Sequence, residues 1–181
     1  MRIYNFRSWI IPALFLVLLL IGCGKDVIID VNALPCGTAR GNAASGSFVY
    51  SGLITSDNCS QVGAFETYRL LEFEEITIMV NHFEPGVDGC EFGRLEILFP
   101  GQGTIPEFTL KGGIWSDGSY RVGQAINVGA GNTFRVLMDG KYFSTEETMM
   151  PQDHFGGSAR VDIASGETEC TFKVEFFGNR E

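Results

Sequence analysis

The sequence predicts an all-β single domain, either an antiparallel β-sandwich or a β-barrel-like fold, over residues 47–181. The main observation is an alternation of apolar and polar residues at period two after residue 46, which is typical of half-buried strands. A second observation is that turn residues such as Pro85-Gly86, Pro100-Gly101 and Asp117-Gly118 separate these runs. A third is that no stretch past the apolar leader keeps apolar residues at helical spacing over three turns.

The first 22 residues have the composition of an export signal. Arg2 and Arg7 give a positively charged start, and Trp9 to Ile21 form an apolar run of 13 residues that only Pro12 interrupts. A helix needs roughly 20 residues to cross a bilayer, so this run is too short for a permanent membrane anchor. Residues 1–22 are therefore predicted to be a signal peptide.

The apolar run ends in Leu20-Ile21-Gly22-Cys23, a small residue followed by a cysteine. This motif resembles the lipobox of bacterial lipoproteins, and the resemblance covers about the first 25 residues. It implies cleavage between Gly22 and Cys23, diacylglycerol on the Cys23 sulfur and acylation of the new amino terminus. Two or more acyl chains anchor a protein stably, so the implied partner is a membrane. Gly24 stands where inner-membrane lipoproteins often carry Asp, which favours the outer membrane and leaves its two faces open.

Residues 23–46 differ from the segments on either side of them. After a small apolar cluster, Val27 to Ile29, the segment is rich in Asn, Ala, Gly and Ser. Such a composition is typical of a flexible linker, so we expect this segment to tether the domain to the lipid. The alternative is an edge strand at Val27 to Val31, and Cys36 limits how much of the segment is free.

The alternation predicts a series of short strands along the domain. They are Phe48 to Ile54, Glu66 to Phe73, Glu75 to Val80, Gly93 to Phe99, Glu107 to Trp115, Thr133 to Met138, Lys141 to Thr145, Gly157 to Ile163 and Glu169 to Phe176. In the last strand, the alternate residues are expected to face the core, because alternate side chains of a strand share one face. These residues are Cys170, Phe172, Val174 and Phe176. Cys170 is therefore expected to point inward, as a buried disulfide requires.

Two dipeptides predict hairpin turns near the end of the chain. Asp139-Gly140, between Met138 and Lys141, is the strongest short hairpin signal in the sequence. Ser165-Gly166 is expected to join the last two strands. The stretch from Gly157 to Ile163 with the Phe-rich strand after it resembles, in pattern, the uncharacterised β-sandwich lipoproteins common in Bacteroidetes. That resemblance implies a fold and carries no function with it.

Charge excludes one class of partner. Removing residues 1–22 leaves 159 of the 181 residues, with 11 Lys and Arg against 22 Asp and Glu and a formal charge of −11. Nucleic-acid binding depends on clustered Lys and Arg, and the sequence has no basic run, so we expect no nucleic-acid partner. The acidity is interpreted as a solubilising surface, with cation binding as the alternative.

Four cysteines remain once Cys23 is assigned to lipid, and they predict two disulfides in an exported chain. They are Cys36, Cys59, Cys90 and Cys170. Three pairings are possible, and we favour Cys36 with Cys59 and Cys90 with Cys170. A zinc site is disfavoured because there is no Cys-x-x-Cys pair and the only two histidines, His82 and His154, are far apart in sequence.

Catalytic and cofactor motifs are missing from the sequence. It contains no Gly-x-Ser-x-Gly elbow, His-Glu-x-x-His pair, phosphate loop or EF-hand loop. We therefore expect no enzyme, no catalytic residue, no cofactor and no metal. His82 and His154 each lie near an acidic residue, which keeps an envelope enzyme with His and carboxylate chemistry as an alternative. Asp88 and Asp117 lie in glycine turns, and calcium binding there is the alternative to simple turn formation.

A candidate binding patch lies around two turns. Trp115, Asp117 and Tyr120 flank one turn, and Tyr142 follows Asp139-Gly140. Exposed aromatic residues stack on sugar rings or anchor protein contacts, so a glycan or protein partner is expected. The alternative is that these aromatic residues are core residues. The favoured function is a lipid-anchored cell-envelope binding or interaction module, with the envelope enzyme and a purely structural envelope component as alternatives.

Overall fold

The computed structural model describes residues 44–59, 69–83, 94–103, 105–129, 131–146, 148 and 151–181. The predicted signal peptide, the predicted lipobox with Gly22 and Cys23, and residues 24–43 of the predicted tether lie outside the described residues. So do Cys36, Cys90 and Asp88. In the part of the chain that is described, no helix has the length and apolarity that a membrane crossing requires.

Eight strands form the domain. They are β1 (Gly46–Asp57), β2 (Phe73–Phe83), β3 (Arg94–Phe99), β4 (Phe108–Ile114), β5 (Ser119–Gly129), β6 (Asn132–Phe143), β7 (His154–Ser165) and β8 (Thr168–Arg180). Each pairs antiparallel with the next, and β1 also pairs with β8, so that the sheet closes into a barrel. This confirms the all-β prediction in its barrel form, the arrangement that leaves a sheet without edge strands.

The period-two alternation determines which side chains face the barrel interior. In β8 the residues Cys170, Phe172, Val174 and Phe176 are buried while Lys173 and Glu175 are exposed, as the alternation predicts. The interior is filled by apolar and aromatic side chains. Around Tyr50, for example, the rings of Phe99 and Phe176 lie 5.2 and 5.6 Å away, centroid to centroid.

The predicted hairpin turn at Asp139-Gly140 is wrong. Both residues lie inside β6, where Gly140 pairs with Tyr120 on one side and Gly157 on the other. A β-carbon at position 140 would lie 2.6 Å from the Tyr120 hydroxyl oxygen and 2.3 Å from the Gly156 carbonyl oxygen. Glycine is therefore required here for close packing within the sheet rather than for a turn.

The strand that sequence analysis missed is β5. Its inward positions include the polar residue Gln124 beside Gly123, and this interrupts the apolar pattern. The hairpin between β5 and β6 instead turns at Gly129 and Asn132, which pair with each other. The predicted strand from Glu66 is also wrong in its described part, because β2 begins only at Phe73.

One disulfide joins described residues, and it contradicts the favoured pairing. Cys59 is bonded to Cys170, with the two Cα atoms 5.0 Å apart. The β1–β8 ladder explains this pairing, because its last pair, Asp57 with Phe172, brings the two cysteines side by side. Sequence spacing could not reveal that the first and last strands are neighbours. The disulfide reinforces the seam at which the barrel closes.

Candidate functional site

A shallow hollow of about 680 Å³ opens where β4 ends and β5 begins. We call it the Trp115 hollow; its lining includes Trp115, Asp117, Ser119, Tyr120, Arg121 and Asp139. Trp115 is half-buried, whereas Asp117 and Arg121 are exposed. The hollow therefore combines an aromatic surface with charged hydrogen-bonding groups.

The turn between β4 and β5 fixes the position of Trp115. The Trp115 amide donates to the carbonyl of Ser119 at 2.8 Å, and its carbonyl accepts from the Gly118 amide at 2.9 Å. Gly118 has a φ of 83°, a left-handed conformation that favours glycine. These bonds fix the backbone of the turn from which the indole of Trp115 extends.

Asp117 is held by the residue two positions after it. Its Oδ1 accepts hydrogen bonds from the Ser119 hydroxyl at 2.6 Å and from the Ser119 amide at 3.0 Å. The hydroxyl bond, and then the amide bond, lower the pKa of Asp117 below its usual value. The carboxylate is thus charged at neutral pH, and Asp117 belongs to the lining of the hollow.

A second charged pair lies on the wall of the hollow. Arg121 on β5 and Asp139 on β6 are directly opposite in the ladder, and the Arg121 Nε donates to Asp139 Oδ1. Both side chains are partly exposed. The guanidinium of Arg121 has five N–H donors, and the carboxylate of Asp139 has several acceptor positions. The hydrogen bond between them uses only one of each, so both groups can also bond to a ligand.

The structure places the four residues of the predicted binding patch in two different environments. Trp115 and Asp117 lie at the surface of the hollow, whereas Tyr120 below it and Tyr142 are core residues with 2% and 0% of their surface exposed. The Tyr120 ring packs edge-on against Phe155 at 5.2 Å. Both tyrosines occupy inward positions of their strands, so the core alternative holds for them. Tyr142 supports the hollow indirectly, because its amide donates to the Gly118 carbonyl at 2.8 Å.

A polar cluster that sequence analysis did not identify surrounds the Tyr142 hydroxyl. This hydroxyl donates to Asp153 Oδ2 at 2.7 Å, and Arg180 Nε lies 3.0 Å from the same oxygen. Burial, and then the hydrogen bond to Asp153, raise the pKa of Tyr142 to about 12. Burial alone would raise the pKa of Asp153. The bonds from Tyr142 and the Thr145 amide, with the charge of Arg180, outweigh burial and lower the pKa of Asp153.

The two histidines do not come together. His82 is buried at the end of β2, whereas His154 begins β7, where its ring stacks on Phe143 at 4.8 Å and lies 5.2 Å from Phe177. Asp153, the acidic neighbour of His154 in sequence, accepts a hydrogen bond from the Tyr142 hydroxyl instead. Among the described residues, no group of three or more His, Cys, Asp or Glu side chains is arranged to hold a metal ion.

A second concave surface, of about 790 Å³, lies on the wall formed by β1, β2 and β8. We call it the Leu53 groove; its lining includes Leu53, Phe73, Glu74, Glu175, Phe176 and Phe177. Leu53 is 66% exposed and Phe177 38% exposed. Two large apolar side chains that are exposed in the same concave surface are informative, because apolar residues that cluster at a protein surface are typical of an interaction site.

Backbone packing under the Leu53 groove holds its floor rigid. Leu71 is buried with a φ of 69°, an unusual value for a residue other than glycine. Its carbonyl accepts a hydrogen bond from the buried Tyr50 hydroxyl at 3.0 Å. A β-carbon at Gly52 would lie 2.1 Å from the same carbonyl oxygen, so glycine is needed there. Such unfavourable conformations persist only where the surroundings enforce them, and they cluster at binding sites.

Sequence analysis missed the Leu53 groove, although one signal for it was present. Phe176 and Phe177 are consecutive, and in a strand with one side facing the core only one of them points inward. Phe176 is the buried member, so Phe177 had to lie outside.

Neither a scan of protein-family models nor a search of curated proteins returns a match to this chain.

Proposed function

We propose that this chain is a lipid-anchored cell-envelope protein whose barrel is a saccharide-binding module. The lipid on Cys23 would hold the domain at the membrane, with the outer membrane favoured by the residue that follows the lipobox. The Trp115 hollow would take the ligand. This proposal deepens the expectation of a binding module by naming one of the two expected partner classes.

One observation carries the proposal: a half-buried indole lies in the same hollow as oriented charged groups. A sugar ring has an apolar C–H face and a rim of hydroxyls that both donate and accept hydrogen bonds. The Trp115 ring offers the complementary apolar surface. Asp117, Asp139 and Arg121 offer the acceptors and donors. Ligand sites in general combine an apolar surface with a few placed polar groups.

The charge of the hollow favours neutral saccharides over acidic ones. Asp117 and Asp139 supply two carboxylates, and Arg121 supplies one guanidinium that is already paired with Asp139. The net charge is negative, and the whole domain is acidic as well. Acidic sugars would be repelled, so the ligand is expected to be a neutral saccharide whose hydroxyls donate to the free oxygen of Asp117.

Tryptophan fluorescence tests this proposal directly. Cleavage after Gly22 would remove Trp9, which leaves Trp115 as the single tryptophan of the mature chain. Soluble Cys23→Ser protein, with the signal removed, would be titrated with lactose, cellobiose and chitobiose. A saturable change in emission is expected with a neutral disaccharide, and none with digalacturonate.

Variants separate binding at the hollow from nonspecific effects. Asp117→Asn is expected to weaken binding about tenfold, because it removes a charged acceptor. The matched control is Glu167→Gln, an exposed carboxylate in the turn between β7 and β8 at the other end of the barrel, and it should bind as the parent does. Absence of any spectral change with neutral disaccharides at millimolar concentration would overturn the saccharide proposal.

The anchor is tested separately. The unmodified chain is expected to incorporate labelled palmitate and to fractionate with the outer membrane, whereas Cys23→Ser is expected to lose the label and become soluble. A Cys23→Ser chain that still takes up palmitate would contradict the lipobox interpretation. Because the two experiments use different readouts, the anchor and the saccharide site can fail independently.

A further inference from the structure

We infer that the Leu53 groove is a docking surface for a polypeptide segment that carries an apolar side chain flanked by lysine or arginine. This inference is independent of the Trp115 hollow. Strand order places the two surfaces apart, because β5 is four strands away from β1 in the ring of eight.

The apolar part of the groove is concentrated rather than scattered. Among the described residues, three large apolar side chains are exposed: Leu53, Phe177 and Met79. Two of the three, Leu53 and Phe177, line this one groove, and Phe73 and Phe176 extend the lining. Isolated exposed apolar residues are common on proteins, but a cluster in a concave surface is typical of an interface. The partner must therefore supply an apolar side chain.

The rim of the groove has one sign of charge. Glu74 and Glu175 are exposed, and neither forms an ion pair with another described residue. Glu72, which also lines the groove, is already paired with Arg69 at 2.7 Å. Two carboxylates without an ion-pair partner among the described residues, beside an apolar surface, favour a partner that brings its own cations, and they disfavour an anionic membrane surface.

The closed sheet determines how the partner makes contact. In the groove, Gly52 of β1 is paired on both sides, with Phe73 on β2 and Phe176 on β8, and Leu53 is paired with Glu175 on β8. A peptide therefore cannot add a strand to the sheet at Gly52. Recognition must go through outward side chains, which are the exposed Leu53, Phe177 and the two glutamates.

The floor of the groove is formed in advance. The Tyr50 hydroxyl holds the Leu71 carbonyl, and Gly52 packs directly against that carbonyl. A partner would not have to order this backbone, so less binding energy is lost on association. A second copy that docked through its own groove is a poorer occupant, because it would bring the same acidic rim against this one.

A defined peptide tests the inference. The probe is a fluorescent heptapeptide in which leucine and phenylalanine alternate with lysine, and its partner control replaces every lysine with glutamate. Binding to the Cys23→Ser chain would be followed by fluorescence anisotropy at two salt concentrations. The lysine peptide is expected to bind with an affinity that falls as salt rises, and the glutamate peptide is expected not to bind.

Variants locate the binding surface. Leu53→Ser is expected to weaken binding of the lysine peptide by about tenfold or more, which is typical of a residue at the centre of an interface. Glu74→Gln with Glu175→Gln is expected to reduce both affinity and salt dependence. The matched control, Glu146→Gln with Glu167→Gln, removes two exposed carboxylates outside the groove and should bind as the parent does. Because all of these positions are exposed, each variant is expected to unfold at the same temperature as the parent. A thermal unfolding curve for each variant therefore checks that it is folded.

Four results would overturn the inference. The first is equal weakening by the groove and control glutamate pairs, which would mean that only net charge matters. The second is a dimer of the parent chain that Leu53→Ser converts to a monomer, which would make a second copy the occupant. The third is binding of the parent, lost in Leu53→Ser, to vesicles of phosphatidylethanolamine and phosphatidylglycerol. Lack of peptide binding by the parent would also refute it.

Discussion

Removal of the Cys59–Cys170 disulfide is expected to cost more stability than any other conservative change to the described residues. The bond joins positions 111 residues apart, and it lies just beyond the ladder that closes the barrel. Without the disulfide, the unfolded chain has more conformations, because its two ends are no longer linked. Folding must then bring the first and last strands together at a larger cost in conformational entropy.

The magnitude follows from the loop length. For a loop of 111 residues, the chain-entropy relation gives about 4.8 kcal/mol at 25 °C. Residual structure in the unfolded chain reduces such values, so the free energy of unfolding is expected to fall by about 3–5 kcal/mol. With a urea slope of about 2 kcal/mol per molar, the unfolding midpoint would move down by roughly 2 M.

Urea unfolding of three variants tests this prediction. Cys59→Ala, Cys170→Ala and the double variant all remove the same bond, so their losses are expected to be nearly equal rather than additive. Variants are preferable to reduction, because a reductant would also act on Cys36 and Cys90. A loss below about 1 kcal/mol in the double variant, with an unchanged urea slope, would refute the reasoning. A double variant with twice the loss of either single variant would contradict the pairing itself.

Two further predictions concern the barrel interior. Tyr142→Phe is expected to lower stability near pH 8 by about 1 kcal/mol through loss of the bond to Asp153. The folded state raises the pKa of Tyr142 from 10.0 to about 12. The stabilisation that the protonated hydroxyl gives to the folded state is therefore present below pH 10 and lost as pH rises toward 12. Between pH 10 and 12 the free energy of unfolding should fall less steeply in the variant than in the parent. An identical alkaline slope in parent and variant would contradict this. Gly140→Ala is expected to cost about 2 kcal/mol in urea unfolding, because its β-carbon overlaps Tyr120. Gly156→Ala, whose β-carbon meets nothing closer than 3.7 Å, is the control, and an equal loss there would refute the overlap.

Alternation was sufficient to predict the fold class and the inward face of β8. It predicts Cys170, Phe172 and Val174 in the core because each strand has one face toward the interior and one toward solvent. It could not predict β5, where the inward Gln124 interrupts the pattern. Local rules also failed at Asp139-Gly140, because the packing of Tyr120 against Gly140 depends on strands that are distant in sequence.

The candidate sites were less predictable than the fold, because exposure depends on the complete barrel. Trp115 and Tyr120 look equivalent in sequence as aromatic residues that flank one turn. The structure separates them by position, since Tyr120 is at an inward position of β5 whereas Trp115 lies in the turn before it. The Leu53 groove depends on strands from both ends of the chain, β1 and β8, and no local pattern shows that they are adjacent.

The two proposed surfaces make a combined argument about the barrel. Strand order places the Trp115 hollow on β4 to β6 and the Leu53 groove on β8, β1 and β2, so they share no strand. Between them, the described residues form one packed core of apolar and aromatic side chains. Binding at one surface is therefore expected to leave the other unchanged, and Asp117→Asn and Leu53→Ser should each affect only their own ligand. A barrel of this kind would act as a spacer that presents two independent contacts, and coupling between the two variants would show instead that the core transmits a change.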